Sequence, residues 1–168
     1  MSKPTVYTDG SCYPNPGPGG WCWIDTDTGL YRHGRGNKTT NNRMELIAVI
    51  AAMDDHPGGA IIISDSQYVV NGVTKWMMKW AQRNWKTTSG PLKNTDLWRR
   101  AYGAYRPTTH RLQWVKGHMG TPGNELADAI CGAARKNDSI PDTLVDMGSG
   151  AMCSKISCGP CYMGVHAP

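Results

Sequence analysis

Apolar and polar residues alternate along the first part of the chain, as is typical of strands with one buried face. The pattern predicts three strands, at residues 4–9, 20–25 and 30–36. A Gly- and Pro-rich loop at 10–20 separates the first two strands, and the turn Asp25–Gly29 separates the second from the third. Because these connections are short, we expect the three strands to form an antiparallel meander.

The rest of the chain alternates helical and strand patterns. A helix rich in Met, Leu and Ala is predicted over Asn41–Asp55, and a strand covered on both faces is predicted at Ala60–Ser64. Helical sequence then continues to about Arg83, and a basic loop follows to Lys93. The remaining predicted elements are a helix, a strand and a helix, at Thr95–Tyr105, His110–Val115 and Asn124–Arg135.

The order of these elements predicts the fold class. An arrangement β-β-β-α-β-α-β-α implies an α/β protein with a mixed five-stranded sheet, in which three antiparallel strands precede strands that return in parallel through helices. After Lys136 the composition changes to Gly, Ser, Cys and Pro without periodicity. We therefore expect one domain over residues 1–137 and a Cys-containing tail over residues 138–168.

Composition narrows the possible classes of protein. With 39% apolar and 18% charged residues, the chain is not a disordered polyelectrolyte. Its longest apolar stretch, Leu46–Met53, is much shorter than the ~20 residues that a membrane span needs, so we expect no membrane partner. No apolar signal core opens the sequence, and the six cysteines are too unevenly placed for a disulfide scaffold. We expect a cytoplasmic protein with reduced thiols.

The positive charge is concentrated in one segment. The chain has 18 Lys and Arg against 13 Asp and Glu, a net charge of +5. Residues 66–95 contain no carboxylate and hold five cations, at Lys75, Lys79, Arg83, Lys86 and Lys93. This segment therefore accounts for the whole excess, which suggests a local contact with a polyanion, while an ordinary solvated helix face is an equally good interpretation.

Four carboxylates lie at or near predicted element boundaries, and each has an ordinary structural interpretation. Asp9 ends the first predicted strand, where an Asp-Gly pair usually marks a turn. Glu45 follows Asn42 by three residues, as in a capping box, and Asp65 can cap the next helix. Asp128, on the last predicted helix, can simply face solvent.

Taken together, the four carboxylates suggest a different interpretation. Asp65 follows a buried strand, at the end of an open sheet where such folds place ligands. If all four converge, their formal charge is about −4 and they repel one another strongly. Divalent cations relieve that repulsion, and carboxylate oxygens suit Mg²⁺ or Mn²⁺ rather than zinc.

Five short motifs carry a family resemblance. They are YTDGS at 7–11, TTNNRMEL at 39–46, SDSQYV at 64–69, WVKGH at 114–118 and GNELAD at 123–128. Their content and order resemble type 1 ribonuclease H over roughly residues 3–135, and five motifs in order make a chance match very unlikely. The family's fold is the mixed five-stranded sheet with helices that the patterns predict.

The resemblance implies an activity and a set of catalytic residues. Asp9, Glu45, Asp65 and Asp128 would hold two Mg²⁺ or Mn²⁺ ions around the scissile phosphate. The implied reaction is endonucleolytic hydrolysis of the RNA strand of an RNA–DNA hybrid, leaving 5′-phosphate and 3′-hydroxyl ends. His118, in a Gly-rich loop where a lone histidine is usually solvated, resembles the residue that assists proton transfer and product departure. We expect the enzyme to be a monomer.

The basic segment also matches a family feature. Lys75, Lys79 and Arg83 recur every four residues and predict a helical stripe, with Trp76 and Trp80 beside it. Cations on phosphates and aromatic faces on sugars suit a nucleic-acid groove, whereas the alternative is that the tryptophans pack inside and only the cations face water. The segment resembles the family's basic protrusion, which holds the DNA strand.

Other substrate contacts are implied by the resemblance alone. Residues near the backbones of the hybrid are Cys12, Asn15, Asn41, Asn42 and Gln67, and those placed for a DNA phosphate are Thr40 and Asn94. Discrimination between RNA and DNA would depend on the 2′-hydroxyl group. Each of these residues also has an ordinary loop or cap interpretation.

The tail departs from the family pattern. Cys153, Cys158, Cys161 and His166 form C-x4-C-x2-C-x4-H, a possible set of four zinc ligands, with free thiols as the alternative. Two other functions compete with the nuclease. A non-catalytic hybrid-binding module is disfavoured because no carboxylate is missing, and a nuclease of the same fold acting on DNA is disfavoured by the histidine loop and the positions that would read the 2′-hydroxyl.

Overall fold

A computed structural model describes residues 2–139. The strands of the main sheet are β1 Thr5–Cys12, β2 Gly17–Asp25, β3 Tyr31–Thr39, β4 Ile61–Ser64 and β7 Arg111–Trp114, and β5 Lys86–Thr87 pairs with β6 Gly90–Pro91 in a separate hairpin. The five strands lie in the order β3-β2-β1-β4-β7, with antiparallel pairs among the first three strands and parallel pairs β1–β4 and β4–β7. This sheet confirms the predicted fold class. The helices are α1 Asn41–Asp55, α2 Gln67–Asn71, α3 Met77–Gln82, α4 Thr95–Ala104 and α5 Pro122–Lys136.

The two faces of the sheet carry different helices. Val6 and Trp23 face the larger apolar cluster, which contains most of α1 together with residues of α2 to α4. Cys22 and Ile24 face the smaller cluster, which contains one side of α5. Because successive strand residues point to opposite faces, β1 and β2 are sandwiched between α1 and α5.

The first hairpin differs from its prediction. Residues 10–20 were expected to form a loop, but β1 continues to Cys12 and β2 begins at Gly17, so only residues 13–16 lie outside the strands. The register pairs Ser11 with Gly20 and Cys12 with Gly19. Glycines in this stretch therefore pair as strand residues instead of marking a loop. As a consequence Asp9 lies inside β1 and does not end it.

The helical and basic segments also differ in detail from the pattern. The single helix predicted up to Arg83 is divided, because a π-helical stretch, Gly72–Trp76, separates α2 from α3. The predicted basic loop contains the small β5–β6 hairpin. Tyr105 lies outside α4 with an extended backbone, and α5 begins at Pro122, a residue well suited to the first turn of a helix.

Candidate active site

The site lies where β4 ends beside the middle of its parallel neighbour β1. Thr8 on β1 pairs with Ser64 on β4, so the residues that follow, Asp9 and Asp65, lie side by side. Asp65 was expected as a possible helix cap, but the cap of α2 is Ser66, whose hydroxyl accepts a hydrogen bond from the Val69 amide. The carboxylate of Asp65 is thus not used as a cap.

Glu45 reaches the same place from α1. A Cβ atom added to Gly10 would lie 2.1 Å from the Glu45 backbone nitrogen, so α1 approaches β1 more closely than any other residue type would allow. The alternative capping-box interpretation is wrong, because Thr40 caps α1 by accepting from the Arg43 amide while Glu45 is buried one turn further along. The close contact at Gly10 therefore brings Glu45 beside Asp9.

Three carboxylates converge at this point. One oxygen from each of Asp9, Glu45 and Asp65 lies within 4.8 Å of the other two. Asp9 and Glu45 are each only 6% exposed, and their Oδ2 and Oε2 atoms are buried without a hydrogen-bond partner among residues 2–139. Burying unpaired carboxylate oxygens is costly, so the arrangement points to a cationic ligand.

The electrostatics of the cluster agree with its geometry. Burial, and then repulsion from Asp65 and Asp128, raise the pKa of Asp9 to about 8. Burial, followed by the charges of Asp9 and Asp65, raises the pKa of Glu45 well above its usual value. Without a cation the two groups therefore tend to hold protons at neutral pH, and a divalent ion would displace them.

This pKa shift predicts a pH-dependent stability. A folded-state pKa of about 8 for Asp9, against 3.8 normally, stabilises the folded state below pH 4, and that contribution is lost as pH rises toward 8. In EDTA we expect the free energy of unfolding, relative to that of Asp9→Asn, to fall between about pH 4 and pH 8. Urea unfolding of both proteins across this range measures the difference, and a difference independent of pH would contradict the raised pKa. Added Mg²⁺ should reduce the loss at pH 8.

Asp128 approaches the trio from α5 on the other side of β1. Its side chain is exposed and its carboxylate is not among the three that lie within 4.8 Å of one another. Its charge nevertheless contributes to the raised pKa of both Asp9 and Glu45. The structure thus places Asp128 at the open edge of the cluster.

His118 lies in the loop beside Asp65. A Cβ atom on the preceding residue, Gly117, would lie 2.7 Å from Oδ2 of Asp65, so the loop backbone passes directly over that carboxylate. His118 itself is exposed and has a positive φ of 55°. Trp114 also ties the end of β7 to this site, because its indole nitrogen donates to the Asp65 backbone carbonyl over 2.9 Å.

The sequence analysis missed Asn124. This residue is 4% exposed in the first turn of α5, and its amide nitrogen donates to Oδ2 of Asp65 over 3.4 Å. Its Oδ1 atom is buried without a hydrogen-bond partner in the described part of the chain. The GNELAD motif contained Asn124, but only its final aspartate was considered there.

The basic segment divides its aromatic residues between core and surface. Trp80 packs on the fully buried Trp98, with ring centroids 5.1 Å apart, while Trp76 is 38% exposed and lies 5.8 Å from Trp80. The three stripe cations, Lys75, Lys79 and Arg83, are exposed. An exposed cationic and aromatic surface is therefore present, although the π-helical stretch interrupts the regular helix expected there.

Several of the expected substrate contacts are linked to one another. Asn41 accepts a hydrogen bond from the Cys12 amide through its side chain, and its own amide donates to the side chain of Asn15, both over 3.2 Å. The backbone amide of Arg43 donates a hydrogen bond to the hydroxyl of the cap residue Thr40, and the Arg43 guanidinium donates to the side-chain oxygen of Asn94. Asn42 and Gln67 are exposed near the starts of α1 and α2. The possible zinc ligands of the tail, Cys153, Cys158, Cys161 and His166, lie outside the described residues.

The fold and the acidic cluster define a class of protein: α/β proteins with a mixed sheet and a cluster of carboxylates that could bind a metal ion beside its central strands. The profile of the RNase H family matches residues 1–136, and the chain belongs to the ribonuclease H family, which makes it an endonucleolytic hydrolase. No helix among residues 2–139 is long and apolar enough to cross a membrane.

Individual relatives agree with this family. The chain is 47% identical over 137 residues to a ribonuclease H of Alcanivorax borkumensis, covering 77% of this chain and 89% of the relative. It is 49% identical over 143 residues to a ribonuclease H of a Jannaschia species, covering 79% and 91%. The crystal structure of LC9-RNase H1, a type 1 RNase H with the type 2 active-site motif, superposes with a TM-score of 0.68 and 32% identity, covering 83% of this chain and 75% of that one.

Proposed function

We propose that this protein hydrolyses the RNA strand of RNA–DNA hybrids at Asp9, Glu45, Asp65 and Asp128 with two Mg²⁺ or Mn²⁺ ions, leaving 5′-phosphate and 3′-hydroxyl ends. The observation that carries the proposal is the convergence of three carboxylate oxygens within 4.8 Å in a member of the ribonuclease H family. Two buried oxygens without partners among residues 2–139 and an all-oxygen donor set fit hard divalent cations.

Each protein residue has a distinct task in this mechanism. Asp9, Glu45 and Asp65 would hold the ions, and Asp128 would complete the ligand set from the open edge. Bound divalent cations supply activation of the attacking water and neutralisation of charge on the phosphate and leaving oxygen. His118, on the loop over Asp65, would accept a proton at the imidazole and assist departure of the product.

The substrate would lie across the start of α1 and the basic segment. Cys12, Asn15, Asn41, Asn42 and Gln67 would contact the hybrid backbones and test for the 2′-hydroxyl. Thr40 and Asn94, which Arg43 links, would hold a DNA phosphate. Lys75, Trp76, Lys79, Trp80 and Arg83 would hold the DNA strand further from the cut.

Removing the stripe cations should weaken substrate binding with little effect on the chemical step. Changing Lys75, Lys79 and Arg83 together to Ala should raise KM about tenfold at low salt and reduce the salt slope by roughly 2 to 3, because each phosphate contact contributes about 0.9. Steady-state kinetics at four salt concentrations measures both effects. An unchanged slope would show that the stripe does not touch the substrate.

The tail should be dispensable for catalysis. We propose that residues 1–137 form the catalytic domain, since all proposed catalytic and substrate-binding residues precede residue 138, and that the protein acts as a cytoplasmic monomer. Deleting residues 140–168 should leave kcat within about twofold of the full chain. Truncated protein that is folded, judged by circular dichroism, but cannot cleave a hybrid at saturating substrate would contradict this.

Zinc analysis of untagged full-length protein tests whether Cys153, Cys158, Cys161 and His166 bind zinc.

The proposed activity is tested with matched duplexes. RNA–DNA hybrid, duplex RNA and duplex DNA of one sequence are labelled on either strand and incubated with Mg²⁺ or Mn²⁺. We expect cleavage only of the RNA strand of the hybrid, with products that ligate through a 5′-phosphate. Cleavage of duplex DNA at a similar rate would favour the DNA nuclease, and tight hybrid binding without cleavage would favour the binding module.

A further inference from the structure

A polar concavity adjoins the candidate active site on the α5 side of the sheet. Its volume is about 430 Å³, and its lining includes Ser11 from β1 together with Asp128, Gly132, Arg135, Lys136 and Asp138 from α5 and the residues after it. None of the motifs that carry the family resemblance includes Gly132, Arg135 or Lys136. The concavity begins at Asp128, so a ligand bound there would lie beside the carboxylate cluster.

The spacing of residues along α5 produces this concavity. Asp128, Gly132 and Arg135 are spaced by four and three residues and share one face of α5, with Asp128 and Arg135 about 10 Å apart along the axis. Gly132 lies between them, and a Cβ atom placed on it would meet nothing within 4 Å. The absence of a side chain at Gly132 therefore keeps the floor of the concavity open.

Arg135 is held at the rim by an aromatic ring and a backbone contact, with no acidic partner among the described residues. Its guanidinium lies 5.8 Å from the centre of the exposed Tyr13 ring at the tip of the β1–β2 hairpin, and its backbone carbonyl accepts a hydrogen bond from Arg35 over 3.2 Å. Within residues 2–139 its buried Nε atom has no hydrogen-bond partner, and no ion pair involves Arg135 or Lys136. A guanidinium that is held in place and has no carboxylate partner among these residues is well suited to bind a phosphate.

We propose that this concavity, the Arg135 subsite, binds a phosphodiester of the strand being cut, one to three nucleotides from the scissile phosphate. The proposal rests on the proposed function, because the bound divalent ions would neutralise Asp128 and leave two cations, Arg135 and Lys136, against Asp138. The 10 Å from Asp128 to Arg135 corresponds to at most about three nucleotides, because a strand rises about 3.4 Å per nucleotide along the duplex axis and its neighbouring phosphates lie farther apart than that rise. The basic segment packs with α1 on the opposite face of the sheet from α5. Since its stripe would hold the DNA strand, the RNA strand would be the one that reaches Arg135.

Two variants with opposite effects on stability separate binding from structure. Arg135→Ala removes the cation, while Gly132→Leu fills the floor and replaces a mid-helix glycine, which should hold or raise stability. We expect each to raise KM for the hybrid about five- to tenfold with kcat nearly unchanged. Arg111→Ala, which removes an exposed cation at the opposite end of the parallel strands, is the matched control and should leave KM unchanged.

The phosphate that Arg135 binds is located by removing one phosphate charge of the substrate at a time. In each hybrid a short central block of ribonucleotides confines the cut, and a single uncharged methylphosphonate replaces one phosphodiester. Its position is moved stepwise along the RNA strand or the DNA strand. For the wild type, one RNA position near the cut should raise KM several-fold, and that penalty should disappear in Arg135→Ala. A penalty lost only at a DNA position, or retained at every position, would overturn the proposal. Failure of the wild type to cut the unmodified hybrid would instead refute the proposed function.

Discussion

Asp9→Asn is expected to lower kcat for hybrid cleavage by at least about 10³-fold while leaving the fold intact. Asp9 is the buried carboxylate on the central strand, and its ligand oxygen lies within 4.8 Å of those of both Glu45 and Asp65. An amide retains the shape of the side chain but contributes no charge to a divalent cation. The same change removes repulsion within the cluster, so stability without metal should hold or rise.

The Asp9 experiment has a matched control in α1. Asp54→Asn removes a carboxylate near the opposite end of the helix that carries Glu45, and it should leave kcat unchanged. Both variants are compared by single-turnover cleavage and by thermal unfolding in EDTA. At pH 8 we expect Asp9→Asn to unfold at a higher temperature than the wild type, by about 2–4 °C for each kcal/mol of relieved repulsion. Near-normal turnover of pure Asp9→Asn would refute the assigned mechanism.

His118→Ala should slow turnover by about 10²-fold, within the range that a general acid or base contributes. The residue lies in a loop that passes over Asp65, but no described contact makes it one of the converging metal-type ligands. The Mg²⁺ concentration that gives half-maximal activity should therefore stay within about twofold of the wild-type value. A variant that regains full activity only at much higher Mg²⁺ would show that His118 is a ligand.

The sequence predicted the parts of this site that depend on element order. The predicted helix Asn41–Asp55 matches α1, and the predicted parallel return of the fourth strand agrees with the pairing of β4 with β1, which places Asp9 beside Asp65. Glu45 was also a candidate from its position in the sequence, but only the family resemblance implied that it joins Asp9 and Asp65, because its approach depends on a helix that contacts the bare backbone at Gly10.

Other features could not be predicted from local sequence patterns, because they depend on contacts between residues that are distant in sequence. The glycines between residues 10 and 20 indicated a loop, whereas pairing with β1 recruits several of them into β2, a tertiary effect. The π-helical stretch at Gly72–Trp76 follows no periodicity that the sequence displays, and a Cβ on Gly72 would meet the Trp98 ring at 2.0 Å. Asn124 matters because of its contact with Asp65, which is 59 residues away in sequence.

The central claim is that the buried carboxylates act through a divalent cation. It is tested most directly by titrating Mg²⁺ into metal-stripped protein and measuring cleavage of a hybrid labelled on its RNA strand. We predict no cleavage in EDTA and saturable recovery as Mg²⁺ is added, with no recovery in Asp9→Asn at any concentration. Cleavage of the RNA strand at the full rate in EDTA would contradict a metal-dependent role for Asp9, Glu45 and Asp65.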